Sequence, residues 1–170
     1  NLSSLKLLDE NMVNSIGVDK AKILLNGLTL RLDTLRLNGI DPDASIPEIV
    51  EAGKTLSSRL SFEPEFSSSL YKNLAKTSPF LIWNLVQKDQ SITDPSLRSA
   101  IANEMARRDP KKAMETVARE ASTNEVKIIF GQWLRFESKE ATEWFDQNST
   151  SLPKEAVNQT SAAFADHSAS

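Results

Sequence analysis

The prolines of this chain fall on a beat. Pro64, Pro79, Pro95 and Pro110 are separated by 15, 16 and 15 residues, and Pro153 follows after two beats that would lie near 125 and 138. A proline inside a helix or a central strand removes a backbone donor and breaks the element, so regular prolines mark regular boundaries. The residues in front of them point the same way. Ser78-Pro79, Asp94-Pro95 and Asp109-Pro110 each place a capping residue before the proline. Proline is well accepted at the first helical position, where its missing N–H would find no partner anyway. The serine or aspartate oxygen can accept from the free N–H groups of the first turn. The residue before a proline is also pushed out of helical geometry, so each pair ends one helix and starts the next. At the missing beats, Thr123-Asn124-Glu125 and Glu137-Ser138-Lys139 offer small polar or acidic helix starters. Each beat leaves about 10–12 residues for a helix, close to the mean length.

Apolar spacing predicts the same helices. After Pro95 come Leu97, Ala100, Ile101 and Met105; after Pro110 come Ala113, Met114, Val117 and Ala121. Val126, Ile129, Phe130, Trp133 and Leu134 follow Asn124, and Ala141, Trp144 and Phe145 follow Ser138. Ala156, Val157, Thr160, Ala163 and Phe164 follow Pro153. Each set is a one-sided stripe with the helical period.

Taking the helices in pairs exposes a longer repeat, over 78–106, 109–135 and 137–165. In the first helices Ile82, Ala113 and Ala141 correspond, as do Val86, Val117 and Phe145, at offsets of 31 and 28. In the second helices Leu97, Val126 and Ala156 correspond, as do Ile101, Phe130 and Thr160, at offsets of 29 and 30. A helix–turn–helix recurring at such a period is the mark of a repeat array, whose hairpins bury their apolar faces only by stacking. On the Asp109-Pro110-x-x-Ala113 opening and the matched second-helix stripe, residues 64–165 resemble the tetratricopeptide-like superfamily of helical repeats. The likeness is to a degenerate member, because the 34-residue period and the tryptophan–glycine–tyrosine pattern of the tetratricopeptide signature are absent. The resemblance implies an all-α fold of stacked hairpins, a short right-handed α-solenoid. It also implies a curved surface, lined by the first helices, that binds a protein or peptide without chemistry.

Residues 1–63 read as an N-terminal helical cap on the array of 64–170, within one continuous domain. Leu5, Leu8, Met12 and Ile16 are helically spaced and stop at Gly17. In the next segment, 18–38, Val18, Leu25 and Leu32 lie seven apart, as do Ala21, Leu28 and Leu35, an a/d heptad pattern. Ile23, Leu30 and Leu37 form a third apolar series on the far side. Such a helix is either covered by its own chain or serves as a homodimer contact. Strict alternation in Leu28-Thr29-Leu30-Arg31-Leu32 also admits a strand. Asn38-Gly39 reads as a helix stop, Asp41-Pro42-Asp43 as a loop, and Ser45 as the cap of a helix over 46–60 with Ile46, Ile49, Val50, Gly53, Leu56 and Leu60 inward. Glu63-Pro64 opens the next helix, with Phe66, Leu70 and Leu74 inward.

Chemistry is harder to place. With no cysteine and one histidine, thiolate catalysis, disulfides, cysteine-bound zinc and any two-histidine site are excluded. The five glycines, at 17, 27, 39, 53 and 131, are too far apart for a phosphate-binding loop, so no cofactor is expected. Ser69-x-x-Lys72 and Ser3-x-x-Lys6 match a nucleophile pattern but lack its supporting elements. Glu137, Glu140 and Glu143 sit where acidic residues favour a helix start. Asp41 and Asp43 lack the rest of a calcium loop. His167 lies in a polar tail with no evident partner. No catalytic or metal site is therefore expected, and the chain reads as a non-enzyme.

Charge narrows the partner. The net charge of −3 gives no general attraction to nucleic acid or anionic membrane, and no apolar run is long enough to span a bilayer. Locally, 98–135 carries eight basic and five acidic side chains, a net of +3, whereas 41–66 and 136–170 are each −4. Arg107, Arg108, Lys111 and Lys112 cluster around the Pro110 turn and suit an acidic peptide. Trp83 and Trp144 lie on first helices, where a groove tryptophan would be a binding hot spot. The sequence opens on Asn1 rather than Met, which reads as a processed or excised piece. The lack of cysteine suits an exported or periplasmic bacterial setting. The alternative function is therefore a helical accessory region of a larger, exported bacterial enzyme.

Overall fold

The computed structural model describes residues 17–39, 41–59, 64–89, 94–118 and 123–168. All regular structure among them is helical: eight α-helices and a short 3-10 turn, with no strand. The chain divides into two compact units, Asn1–Ile82 and Trp83–Ser170. The expected helix over 2–16 lies outside the described residues.

In the first unit, helix α1 (Val18–Leu37) runs between two glycines with positive φ, Gly17 at 80° and Gly39 at 73°. Only glycine adopts that geometry without a Cβ penalty, which makes Gly39 an effective helix stop. Asn38 completes the terminus, its backbone N and its Nδ2 both donating to the Thr34 carbonyl, at 3.2 and 2.9 Å. The alternation through 28–32 is thus carried on a helix. Thr29 makes a helical back-bond, its hydroxyl donating to the Asn26 carbonyl at 2.7 Å. Leu25 and Leu32 are fully buried against their own unit, while Ile23 and Leu24 face outward, 70% and 45% exposed.

The cap expected at Ser45 takes a different form. Asp43–Ser45 is a 3-10 turn, begun by the Asp41 carboxylate accepting from the Asp43 N–H at 3.0 Å, and it runs directly into α2 (Ile46–Arg59). An aspartate two residues before a turn competes for the backbone donor that a helix cap would otherwise take. Ile46, Ile49, Val50 and Gly53 face inward as expected; the side chains of Leu56 and Leu60 are outside the described set. Helix α3 (Pro64–Thr77) packs on α1 and α2 through Phe66, Leu70 and Leu74. The approach is closest at Gly53, where an added Cβ would overlap Leu70 Cδ2. Helix α4 (Pro79–Lys88) starts at its proline. The Ser78 carbonyl accepts from Ile82 N at 3.1 Å, and the Ser78 hydroxyl donates to the Asp43 carboxylate, joining this start to the 3-10 turn.

The second unit shows the proline beat most clearly. Helix α5 (Pro95–Arg108) is capped by Asp94, whose Oδ1 accepts from Ser96 N at 2.8 Å. Asp109 serves two helices. Its N–H closes α5 on the Met105 carbonyl at 3.0 Å, and its Oδ1 accepts from Lys112 N at 2.9 Å to open α6 (Pro110–Val117). Helix α6 has only eight residues, fewer than the beat allows. The beat near 125 appears as the start of α7 (Thr123–Asn148). The helix expected from 138 is present as the second arm of α7. Glu137, with φ −142° and ψ 56°, is not helical and separates this arm from the first. Helix α8 (Lys154–Ser168) begins one residue after Pro153, whose carbonyl accepts from Val157 N at 3.1 Å.

Within this unit α5 packs on α6 and more extensively on α7, α6 packs on α7, and α7 packs on α8. Five aromatic rings bind the two arms of α7 to α8. Phe130 meets Phe164 at 5.1 Å and Phe145 at 5.9 Å between centroids, and Trp133 meets Trp144 at 5.7 Å. Edge and tilted geometries of this kind add to the burial itself. Of the twelve positions that correspond in the sequence repeat, eleven are buried and Phe145 is half-buried inside the ring cluster.

Candidate functional site

The residues singled out by sequence separate into two groups. Trp83 is fully buried and Trp144 is 6% exposed, so neither offers an indole face to a groove. The expectation of groove tryptophans is corrected here for a physical reason. Trp83 is roofed by Arg98, whose guanidinium lies 4.9 Å from the ring centroid, and Trp144 is engaged by Trp133. By contrast Arg107, Arg108, Lys111 and Lys112 are all exposed around the Asp109-Pro110 junction. Arg107 pairs with Glu104 one helical turn back, at 3.6 Å.

Ser69 is exposed on α3 with Lys72 half-buried beyond it, and Ser3 and Lys6 lie outside the described residues. Glu137, Glu140 and Glu143 are exposed, and Glu143 pairs with Lys139 at 3.8 Å. Among the described residues no group of three His, Asp or Glu side chains could hold a metal ion, and no helix is long and apolar enough to cross a membrane.

The second unit holds an open cleft of about 670 Å³ that sequence reading missed. That volume is within the range of ligand sites, ~300–1,000 Å³. Its walls come from the second members of the three helix pairs, not the first. Asn103 projects from α5; Asn124, Lys127, Gly131, Gln132 and Arg135 project from one face of α7. Asp166 and His167 close the rim from α8, with Ala163 below. The expected polar tail is thus corrected: α8 continues through His167 to Ser168, whose hydroxyl donates to the Phe164 carbonyl at 2.9 Å.

Amides organise the wall. Gln132 Nε2 donates to Asn103 Oδ1, and Asn103 Nδ2 donates to the Ser99 carbonyl at 3.0 Å. Asn124 Nδ2 donates to the Ser99 hydroxyl at 3.2 Å. This network ties α7 to α5 and holds the amides in place. Gln132 Oε1 is buried and accepts no hydrogen bond among the described residues. At the rim Lys127 Nζ meets Asp166 Oδ2 at 2.8 Å, with side chains 41% and 68% exposed. Below the network, Arg98 Nε donates to the buried Glu125 carboxylate at 3.2 Å. The one signal that could have located the cleft is Gly131, a glycine inside the apolar stripe of a strong helix.

No family model, curated protein or solved structure matches the chain.

Proposed function

We propose that the chain is a noncatalytic protein- or peptide-binding scaffold built from degenerate helical hairpin repeats, arranged as a short right-handed solenoid. The observation that carries the reading is the burial of the corresponding repeat positions: Leu97, Val126 and Ala156, and Ile101, Phe130 and Thr160, are all buried. Packing of α5 on α7 and of α7 on α8, the second members of successive pairs, supports it, since a repeat array is held by contacts between neighbouring repeats. The exposed basic turn of Arg107, Arg108, Lys111 and Lys112 is its partner-facing charge, fit for acidic surfaces.

The test is affinity capture. The full chain, immobilised and exposed to extract of its source cells, retains a protein partner. A variant with Arg107, Arg108, Lys111 and Lys112 changed to Glu retains it less. Equal retention by both forms removes the basic turn from the interface. No protein enriched by either form counts against the scaffold itself.

A further inference from the structure

The cleft of the second unit contains a glycine that packing does not require. Glycine in a helix interior is about 1 kcal/mol less favourable than alanine. Where a neighbour presses against the backbone, as Leu70 does at Gly53, the cost has a structural reason. At Gly131 it has none, because an added Cβ would meet just the Ala163 Cβ, at an ordinary contact distance of 3.9 Å. Gly131 forms part of the cleft wall. A methyl group there would project from the cleft wall and leave the core unchanged.

The charges around it have a regular spacing. Lys127 and Arg135 flank Gly131 at four residues on either side. Eight residues of helix separate these cations by about 12 Å along the axis. An extended chain advances ~3.3 Å per residue and returns its side chains to one face every second residue, so residues four apart span a similar ~13 Å. The amides of Asn103, Asn124 and Gln132 are held by one another and by Ser99, which makes the wall between the two cations rigid. One acid, Asp166, stands at the rim on Lys127. Exposed pairs of that kind hold weakly, so a ligand carboxylate can replace it.

We propose that this cleft binds an extended acidic peptide segment, its backbone crossing Gly131 and two carboxylates four residues apart reaching Lys127 and Arg135. The assignment rests on the scaffold reading and deepens it. It places the peptide on the second helices rather than on the Asp109-Pro110 junction.

The test is selection of a random dodecapeptide library, displayed on phage, against the full chain. Recovered peptides carry two acidic residues four positions apart. Their recovery falls roughly tenfold with Arg135→Gln, as expected for loss of a charge-assisted hydrogen bond. It falls likewise with Gly131→Ala, whose thermal midpoint is not lowered, and it rises with Asp166→Asn. Enrichment of basic or uncharged peptides overturns the assignment and leaves the scaffold reading standing. So does acidic enrichment indifferent to Arg135→Gln and Gly131→Ala. A library with no enrichment at all removes both.

Discussion

Arg98 lies over the indole of Trp83, 4.9 Å from the ring centroid, while its Nε donates to Glu125 at 3.2 Å. One side chain thus roofs a buried tryptophan and neutralises a buried carboxylate. Glu125 is 6% exposed and Arg98 only partly so. Arg98→Ala leaves the carboxylate without this cation and the ring without its cover. The expected loss is about 2 kcal/mol, below the full figure for a buried pair because Arg98 is part-exposed. Urea unfolding measures it, and Arg98→Ala/Glu125→Ala recovers part of the loss. No loss in the single variant contradicts the pairing.

Asp109 closes one helix and opens the next, so its side chain matters more than an ordinary surface carboxylate. Asp109→Ala keeps the backbone bond to Met105 but loses the bond from Lys112 N. The variant loses about 1 kcal/mol, the usual value of an N-cap, whereas Asp109→Asn retains most of it. Thermal unfolding of the two variants side by side checks the order.

Two glycines respond in opposite directions. Gly53→Ala drives a Cβ into Leu70, which is buried and must shift. That overpacking costs about 1–3 kcal/mol, offset in part by alanine's better helix propensity. Gly131→Ala meets only Ala163 Cβ, at an ordinary contact distance of 3.9 Å, and gains up to ~1 kcal/mol. Calorimetry of both variants gives a lowered midpoint for the first and a raised one for the second. A lowered midpoint for Gly131→Ala makes that glycine structural and weakens the case for the cleft.

The three tryptophans are 0%, 1% and 6% exposed at Trp83, Trp133 and Trp144. Native fluorescence is therefore blue-shifted and poorly quenched by acrylamide, changing only on unfolding. Quenching at the level of a free indole contradicts the burial.

Local chemistry was legible in the sequence, and long-range chemistry was not. The helix starts at Pro64, Pro79, Pro95 and Pro110 were readable because capping and proline geometry are settled within a few residues. The beat at 138 was legible as well, since the second arm of α7 starts after Glu137. A start at Ser138 follows from local polar residues, yet how the two arms lie depends on what packs across the break. Here Trp144 and Phe145 beyond the kink meet Trp133 and Phe130 before it, so the two arms stay joined. The burial of Trp83 depends on Arg98, fifteen residues on, which no stripe could show. The cleft was missed for the same reason, since Asn103, Gln132 and His167 come from three helices. Gly131 was visible all along, but as one of five glycines too scattered for a loop.

Hydrogen–deuterium exchange on the full chain, with and without the recovered dodecapeptides, tests peptide binding at the cleft most directly. Bound peptide slows exchange in α5, in α7 up to Arg135 and in α8, and leaves α1, α2 and α3 unchanged. Slowing confined to α1–α3, or none anywhere at saturating peptide, contradicts it.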